Sequence, residues 1–91
     1  MKRLTLIIHG GVQGIFFRTF VKERARKLAL TGTVRNEPKG SVEVIAEGEE
    51  SALRVFLRAV SKGYPPARVA KIEERWAEGT GAFSDFNILY D

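Results

Sequence analysis

The sequence has no cysteine, so a thiol nucleophile, a disulfide framework, a cysteine-ligated zinc and an iron–sulfur cluster are excluded together. It has one histidine, His9, which removes any multi-histidine metal centre. Asp85 and Asp91 are its only aspartates, and no carboxylate cluster of the two-metal type occurs. No serine or threonine has an evident histidine–acid partner. Long apolar runs are missing too. The run that follows Lys2-Arg3, Leu4-Thr5-Leu6-Ile7-Ile8, is far too short to span a bilayer, and no small-residue cleavage site comes after it. A cytoplasmic chain without a membrane partner is therefore expected. Gln13, Asn36, Asn87 and one methionine are the few thermolabile side chains, and with abundant Glu, Lys and Arg they point to a heat-adapted, thermostable protein.

What is there suits a single globular domain over residues 1–91. The chain is 44% hydrophobic and 29% charged, which argues against a disordered or fibrous chain. At this length it can bury a core without disulfides or metal. The net charge of +4 favours anionic partners but is no polybasic arm.

The hydrophobic pattern gives an element order. Leu4, Leu6 and Ile8 alternate with Thr5, Ile7 and His9, as in a strand, which Gly10-Gly11-Val12-Gln13-Gly14 interrupts. Phe17, Phe20, Val21, Ala25 and Leu28 then recur at helical spacing and predict a helix over about 17–30. Gly32 punctuates the chain, Val34 begins a short strand, and Glu37-Pro38-Lys39-Gly40 reads as a turn. Val42, Val44 and Ala46 form the partner strand of a hairpin. Glu49 and Glu50 suit the first turn of a second helix with the stripe Leu53, Phe56, Leu57 and Val60. Gly63 and Pro65-Pro66 end it. Val69 to Trp76 is a fourth strand, with Ile72 and Trp76 inward, and Gly79-Thr80-Gly81 is a loop. Phe86, Ile88 and Tyr90 alternate in a short last strand. The order β-α-β-β-α-β is the ferredoxin-like split βαβ plan: an antiparallel sheet, two helices on one face, and a short extra C-terminal strand. That plan hosts enzymes, RNA binders and metabolite sensors alike.

Gly10 to Arg18 is the stretch richest in chemistry. Glycines between a strand and a helix let backbone N–H groups converge, and the helix adds its own unpaired N–H groups and positive dipole end. Arg18, in the first turn, is unfavourable for the helix itself. It makes sense if an anion sits at the loop, where its fork binds two phosphate oxygens. A plain tight turn with a solvated arginine fits the same residues. Asn36, near the end of the second strand, is either a turn-forming asparagine or, facing the loop, an amide that holds a water by donor and acceptor together. His9 reads as a satisfied or exposed strand residue rather than a catalyst. The basic residues of the first helix read as a solvated face, without the exposed aromatic platform of an RNA-reading sheet.

Gly10-Gly11-Val12-Gln13-Gly14-Ile15-Phe16-Phe17-Arg18 resembles the acylphosphatase signature G-x-V-Q-G-V-x-F-R. Gly32-Thr33-Val34-Arg35-Asn36, followed by Gly40-Ser41-Val42-Glu43, resembles that family's second signature. Ala25 to Leu28, Glu47-Gly48, Ala67-Arg68-Val69 and Phe86 continue the likeness over nearly the whole chain. The resemblance implies a ferredoxin-like hydrolase of acyl phosphates that uses no cofactor and no metal. It implies that Arg18 binds phosphate, that Asn36 positions the attacking water, and that backbone N–H groups of Val12, Gln13, Gly14, Ile15, Phe16 and Phe17 cradle the phosphate. The partners expected are a small acyl phosphate and inorganic phosphate, with no nucleic acid, and the protein is expected to be a monomer. Four positions depart from the pattern: Gly11 stands where a basic residue is common, Thr33 for tryptophan, Ala29 for glycine and Tyr64 for proline. A non-catalytic domain binding an anion at the same loop, and an RNA-binding domain of the same plan, are the alternatives. Turnover of benzoyl phosphate separates the first, and salt-dependent RNA binding the second.

Overall fold

The computed structural model describes residues 1–65 and 67–90. In chain order it forms β1 (Lys2–Gly11), α1 (Ile15–Lys27), β2 (Thr31–Asn36), β3 (Val42–Gly48), α2 (Glu50–Lys62), β4 (Arg68–Glu78) and β5 (Phe86–Leu89). The strands make one sheet in the order β4-β1-β3-β2-β5. The β1–β3, β1–β4 and β2–β3 pairs are antiparallel, and β5 runs parallel to β2, so the fifth strand makes the sheet mixed. Pro66, expected to help end α2, lies outside the described residues.

Strand alternation sends one side of each strand to the helices. Leu4, Leu6 and Ile8 of β1, Val34 of β2, Val42, Val44 and Ala46 of β3 and Phe86 of β5 are buried there. They meet Phe17, Val21 and Ala25 of α1 and Leu53, Phe56 and Val60 of α2. Phe56 and Phe86 pack edge-on with centroids 6.3 Å apart. Ile72 and Trp76 of the edge strand β4 are half-buried against this core. α1 lies over β2 and β5, and α2 over β3 and β4.

Two glycines read as breaks in the sequence lie inside strands. β1 runs on to Gly11, through a register shift between His9 and Gly10. Gly10 has φ +133°, and a Cβ there would overlap the Arg68 carbonyl of β4. Gly32 has φ +144°, and a Cβ there would overlap the Ile45 carbonyl of β3, so β2 begins at Thr31 and not at Val34. Both glycines admit the neighbouring backbone rather than stop the strand. α1 starts at Ile15, two residues before its expected start, and ends at Lys27 instead of Leu30. Ala29 closes it at φ +57°. The Leu30 N–H donates to the Ala25 carbonyl at 2.9 Å and the Ala29 N–H to Arg26 at 3.1 Å, the paired bonds of a Schellman end.

At the far end of β3, the fully buried carboxylate of Glu47 holds the β4–β5 connection. It accepts from Arg3 Nε at 2.7 Å, from the Thr80 N–H and hydroxyl at 3.0 Å each, and from the Gly81 N–H at 2.9 Å. Burial alone pushes this carboxyl up. The donors, Arg3 foremost, outweigh burial and bring it down to about 2.

Candidate active site

The turn between β1 and α1 is short, from Val12 to Gly14. Gly14 is the N-cap residue in extended conformation. No side chain caps the helix and no acidic residue stands in its first turn. The positive end of α1 is therefore left without neutralisation by its own residues. Of the six residues expected to cradle phosphate, Val12 and Phe17 are buried, and Gln13, Gly14 and Phe16 are exposed. Ile15 opens the helix. The Phe17 N–H already reaches the Gly14 carbonyl at 3.3 Å.

Gln13 fixes where this turn sits. Its amide nitrogen donates to the Glu37 carbonyl at 2.6 Å and to the Ser41 carbonyl at 2.9 Å. The β2–β3 turn that receives it is closed by its own bonds, Glu37 N–H to Ser41 carbonyl at 2.8 Å and Ser41 hydroxyl to the Glu37 carboxylate at 2.7 Å. The glycine turn is thus held against the residue that follows Asn36.

Arg18 and Asn36 both lie near the C-terminal end of β5. The Arg18 guanidinium lies over the Tyr90 ring, 5.0 Å from its centroid. The parallel register pairs Val34 with Ile88 and Arg35 with Leu89, and the next step sets Asn36 level with Tyr90. Asn36 follows buried Val34 by two residues, and Tyr90 follows buried Phe86 by four, so both side chains belong to the helix face. Arg18 Nε and Asn36 Oδ1 are the two buried side-chain polar atoms without a hydrogen-bond partner among the described residues. Leaving such an atom unsatisfied costs about 1–3 kcal/mol. A buried polar atom left unpaired in a native fold calls for an explanation, and here there are two, one on α1 and one at the end of β2.

Several other charged groups are engaged elsewhere. His9 is on the outer face of the sheet, with Nε2 2.6 Å from the Glu73 carboxylate, which this contact holds below its ordinary pKa. Arg35, on the same outer face, pairs with Glu43 at 2.9 Å. No strand carries a Phe, Tyr or Trp side chain on that face, although Phe83 of the β4–β5 connection lies 5.4 Å from the guanidinium of the outward Arg3. Among the described residues no His, Cys, Asp and Glu group of three or more could hold a metal ion. A 230 Å³ groove lies at the opposite end of β1, and its charges pair with one another, Lys2 with Glu78 and Arg54 with Glu50. No described helix is long and apolar enough to cross a membrane. Sequence reasoning did not find Tyr90 as the partner of Arg18, nor the side-chain role of Gln13. Both contacts join segments remote in the chain, and only the sheet register brings them together.

The acylphosphatase family profile matches residues 4–88. An acylphosphatase of Salinibacter ruber is 44% identical over 87 residues, 96% of this chain and 92% of that protein. One of Bacillus licheniformis is 42% identical over 90 residues, 99% of this chain and 100% of that protein. The crystal structure of the acylphosphatase from Bacillus subtilis matches with a TM-score of 0.94 at 39% identity, covering 99% of this chain and 100% of the other. A profile match from β1 to β5, together with a backbone that coincides with a solved member, makes this chain a member of the acylphosphatase family of hydrolases.

Proposed function

We propose that the chain, as a single domain over residues 1–91, hydrolyses the carboxyl–phosphate bond of acyl phosphates without a metal ion, at the site built from the glycine turn, Arg18 and Asn36. The observation that carries the reading is the pair of orphaned buried atoms, Arg18 Nε and Asn36 Oδ1, at the same end of the sheet. In this reading the phosphoryl group rests on N–H groups of the turn and of the first turn of α1, with two of its oxygens on the Arg18 fork. The Asn36 amide holds a water in line with the bond to the acyl oxygen. Water oxygen bonds to phosphorus as the bond from phosphorus to the acyl oxygen breaks. The electron pair leaves on the carboxylate, and a non-bridging phosphate oxygen takes the water proton. Acyl phosphate and water become carboxylate and dihydrogen phosphate.

The chemistry suits the residues present. The leaving carboxylate has a conjugate acid of pKa about 4, so it departs without a protonating side chain. Phosphoryl transfer needs position and charge stabilisation above all, and Arg18 with the N–H groups supplies both. The test is benzoyl phosphate hydrolysis followed by ultraviolet absorbance, with and without excess chelator. Turnover that chelation leaves untouched is expected. Phosphate binding without turnover would return the site to a non-catalytic anion binder, and activity lost to chelator and restored by Mg²⁺ or Zn²⁺ would overturn the metal-free mechanism.

A further inference from the structure

The glycine turn forms one wall of a small open cleft whose other wall comes from the α2–β4 connection. The cleft holds about 90 Å³ and is lined by Gly11, Gly14, Phe16, Phe17, Tyr64 and Ala67, none of them charged. Phe16 is 65% exposed and Tyr64 47% exposed, large apolar side chains left to solvent beside the anion site. They are held there by structure. Phe16 is on the first turn of α1. Tyr64 stacks on Phe20 with centroids 5.1 Å apart, and its carbonyl accepts the Ala67 N–H at 2.8 Å. Phe16 and Tyr64 also line a second shallow cleft, which continues past Thr19 and Phe20 to the Glu23 carboxylate. Gly11 and Tyr64, two of the four departures from the family pattern, thus lie in one place.

We infer that this cleft is the acyl subsite, and that it selects acyl phosphates whose acyl group is uncharged and apolar, aromatic above all. The inference rests on the reading that the glycine turn holds the phosphoryl group. Given that, covalent geometry does the rest, because the carbonyl carbon is joined to phosphorus through a single oxygen. An acyl side chain therefore leaves the turn over its immediate wall, and that wall is Gly11, Gly14 and Phe16. A ring there covers Phe16 and Tyr64 and gains their contact area. An acetyl group offers a single methyl for such contact. An acyl chain carrying its own negative charge finds no charged residue lining the cleft, and beyond it the Glu23 carboxylate lines the second cleft, with the Arg24 guanidinium 5.5 Å from the Phe20 centroid.

The experiment compares kcat/KM for benzoyl, acetyl and succinyl phosphate in the parent, Tyr64→Ala and Tyr64→Phe, with inhibition by inorganic phosphate measured alongside. Ratios between substrates are independent of how much protein is folded. The parent should prefer benzoyl over acetyl phosphate, and succinyl should be the poorest. In Tyr64→Ala the benzoyl-to-acetyl ratio should fall by roughly tenfold, the discrimination a hydrophobic contact of this size supplies. Tyr64→Phe should keep the ratio. A parent that hydrolyses all three equally, or a ratio that Tyr64→Ala leaves unchanged, overturns the acyl subsite while leaving the hydrolase reading intact. Loss of the ratio in Tyr64→Phe overturns the apolar basis of selection. A parent that binds phosphate but hydrolyses none of the three overturns the hydrolase reading, and the subsite with it.

Discussion

The guanidinium of Arg18 lies over the Tyr90 ring, 5.0 Å from its centroid, although the two residues stand near opposite ends of the chain. Arg18 is placed in α1 and Tyr90 just past β5, so the cation meets the ring only once β5 has paired with β2. The ring covers one face of the guanidinium, whose Nε is buried without a hydrogen-bond partner among the described residues.

That contact makes Tyr90 a positioning residue, and its removal should weaken the site without abolishing it. A cation over an exposed ring contributes about 0.5–1 kcal/mol. Tyr90→Ala should therefore raise the inhibition constant for inorganic phosphate and lower kcat/KM by roughly two- to fivefold, and Tyr90→Phe by less. Arg18→Ala should lose most phosphate affinity, and Arg18→Lys should recover only part of it, because an ammonium lacks the planar fork. Phosphate inhibition in the four variants checks this. Equal values in Tyr90→Ala and the parent would show that the ring does not aim the guanidinium.

Asn36 separates catalysis from binding. If its amide orients water, Asn36→Ala should lower kcat by roughly 10²-fold or more, the scale on which positioned catalytic donors act. Phosphate should still bind, since Arg18 and the turn remain. Stability should hold, because the substitution removes a buried oxygen that has no protein partner. A turn-forming asparagine predicts the reverse. Thermal unfolding, phosphate inhibition and benzoyl phosphate turnover on one variant decide, and normal kcat with lowered stability would sink the water-positioning role.

The parts of this fold legible in the sequence are those written locally. Leu4-Leu6-Ile8 and Val42-Val44-Ala46 alternate at the strand period, and Phe17-Val21-Ala25 repeat at the helical one, and all nine are buried. Arg18 and Asn36 could be picked out because each sits in a short motif. What was misread depends on a neighbour far along the chain. Gly10 and Gly32 look like breaks until β4 and β3 are laid beside them. The sequence pattern puts the end of α1 near Leu30, three residues past Lys27, because Ala29 carries no mark of its left-handed conformation, as a glycine would. The pairing of Arg18 with Tyr90 is a matter of register, which no local pattern encodes.

Ala29 itself makes a prediction. An L-residue held in left-handed conformation costs about 1–2 kcal/mol, partly offset by the greater chain entropy that glycine adds to the unfolded state. Ala29→Gly should stabilise the protein by about 0.5–1 kcal/mol, raising Tm by roughly 3–6 °C for a domain of this size. Ala29 is exposed and away from the site, so turnover should not change. Thermal unfolding measures the effect, and a lower Tm would mean that unfolded-chain entropy outweighs the relief of strain.

Glu47 should make the protein acid-sensitive in a defined window. Its carboxyl lies at about 2 in the folded protein against an ordinary value of 4.5. Above pH 4.5 it is ionised in folded and unfolded chains alike, and the stabilisation from Arg3, Thr80 and Gly81 is fully present. Between 4.5 and 2 the unfolded chain takes up a proton that the folded chain does not, so falling pH favours unfolding. Below about 2 both forms are protonated and the contribution is gone. Glu47→Gln has no such titration. At neutral pH it should be less stable than the parent by about 2 kcal/mol, the scale of hydrogen bonds to a buried charge. The gap should then close as pH is lowered from 4.5 to 2. Every other carboxylate is common to both proteins, so the difference in Tm between parent and variant isolates this one. A difference that stays constant from pH 6 to pH 2 would show that Glu47 is held by shape and not by its charge.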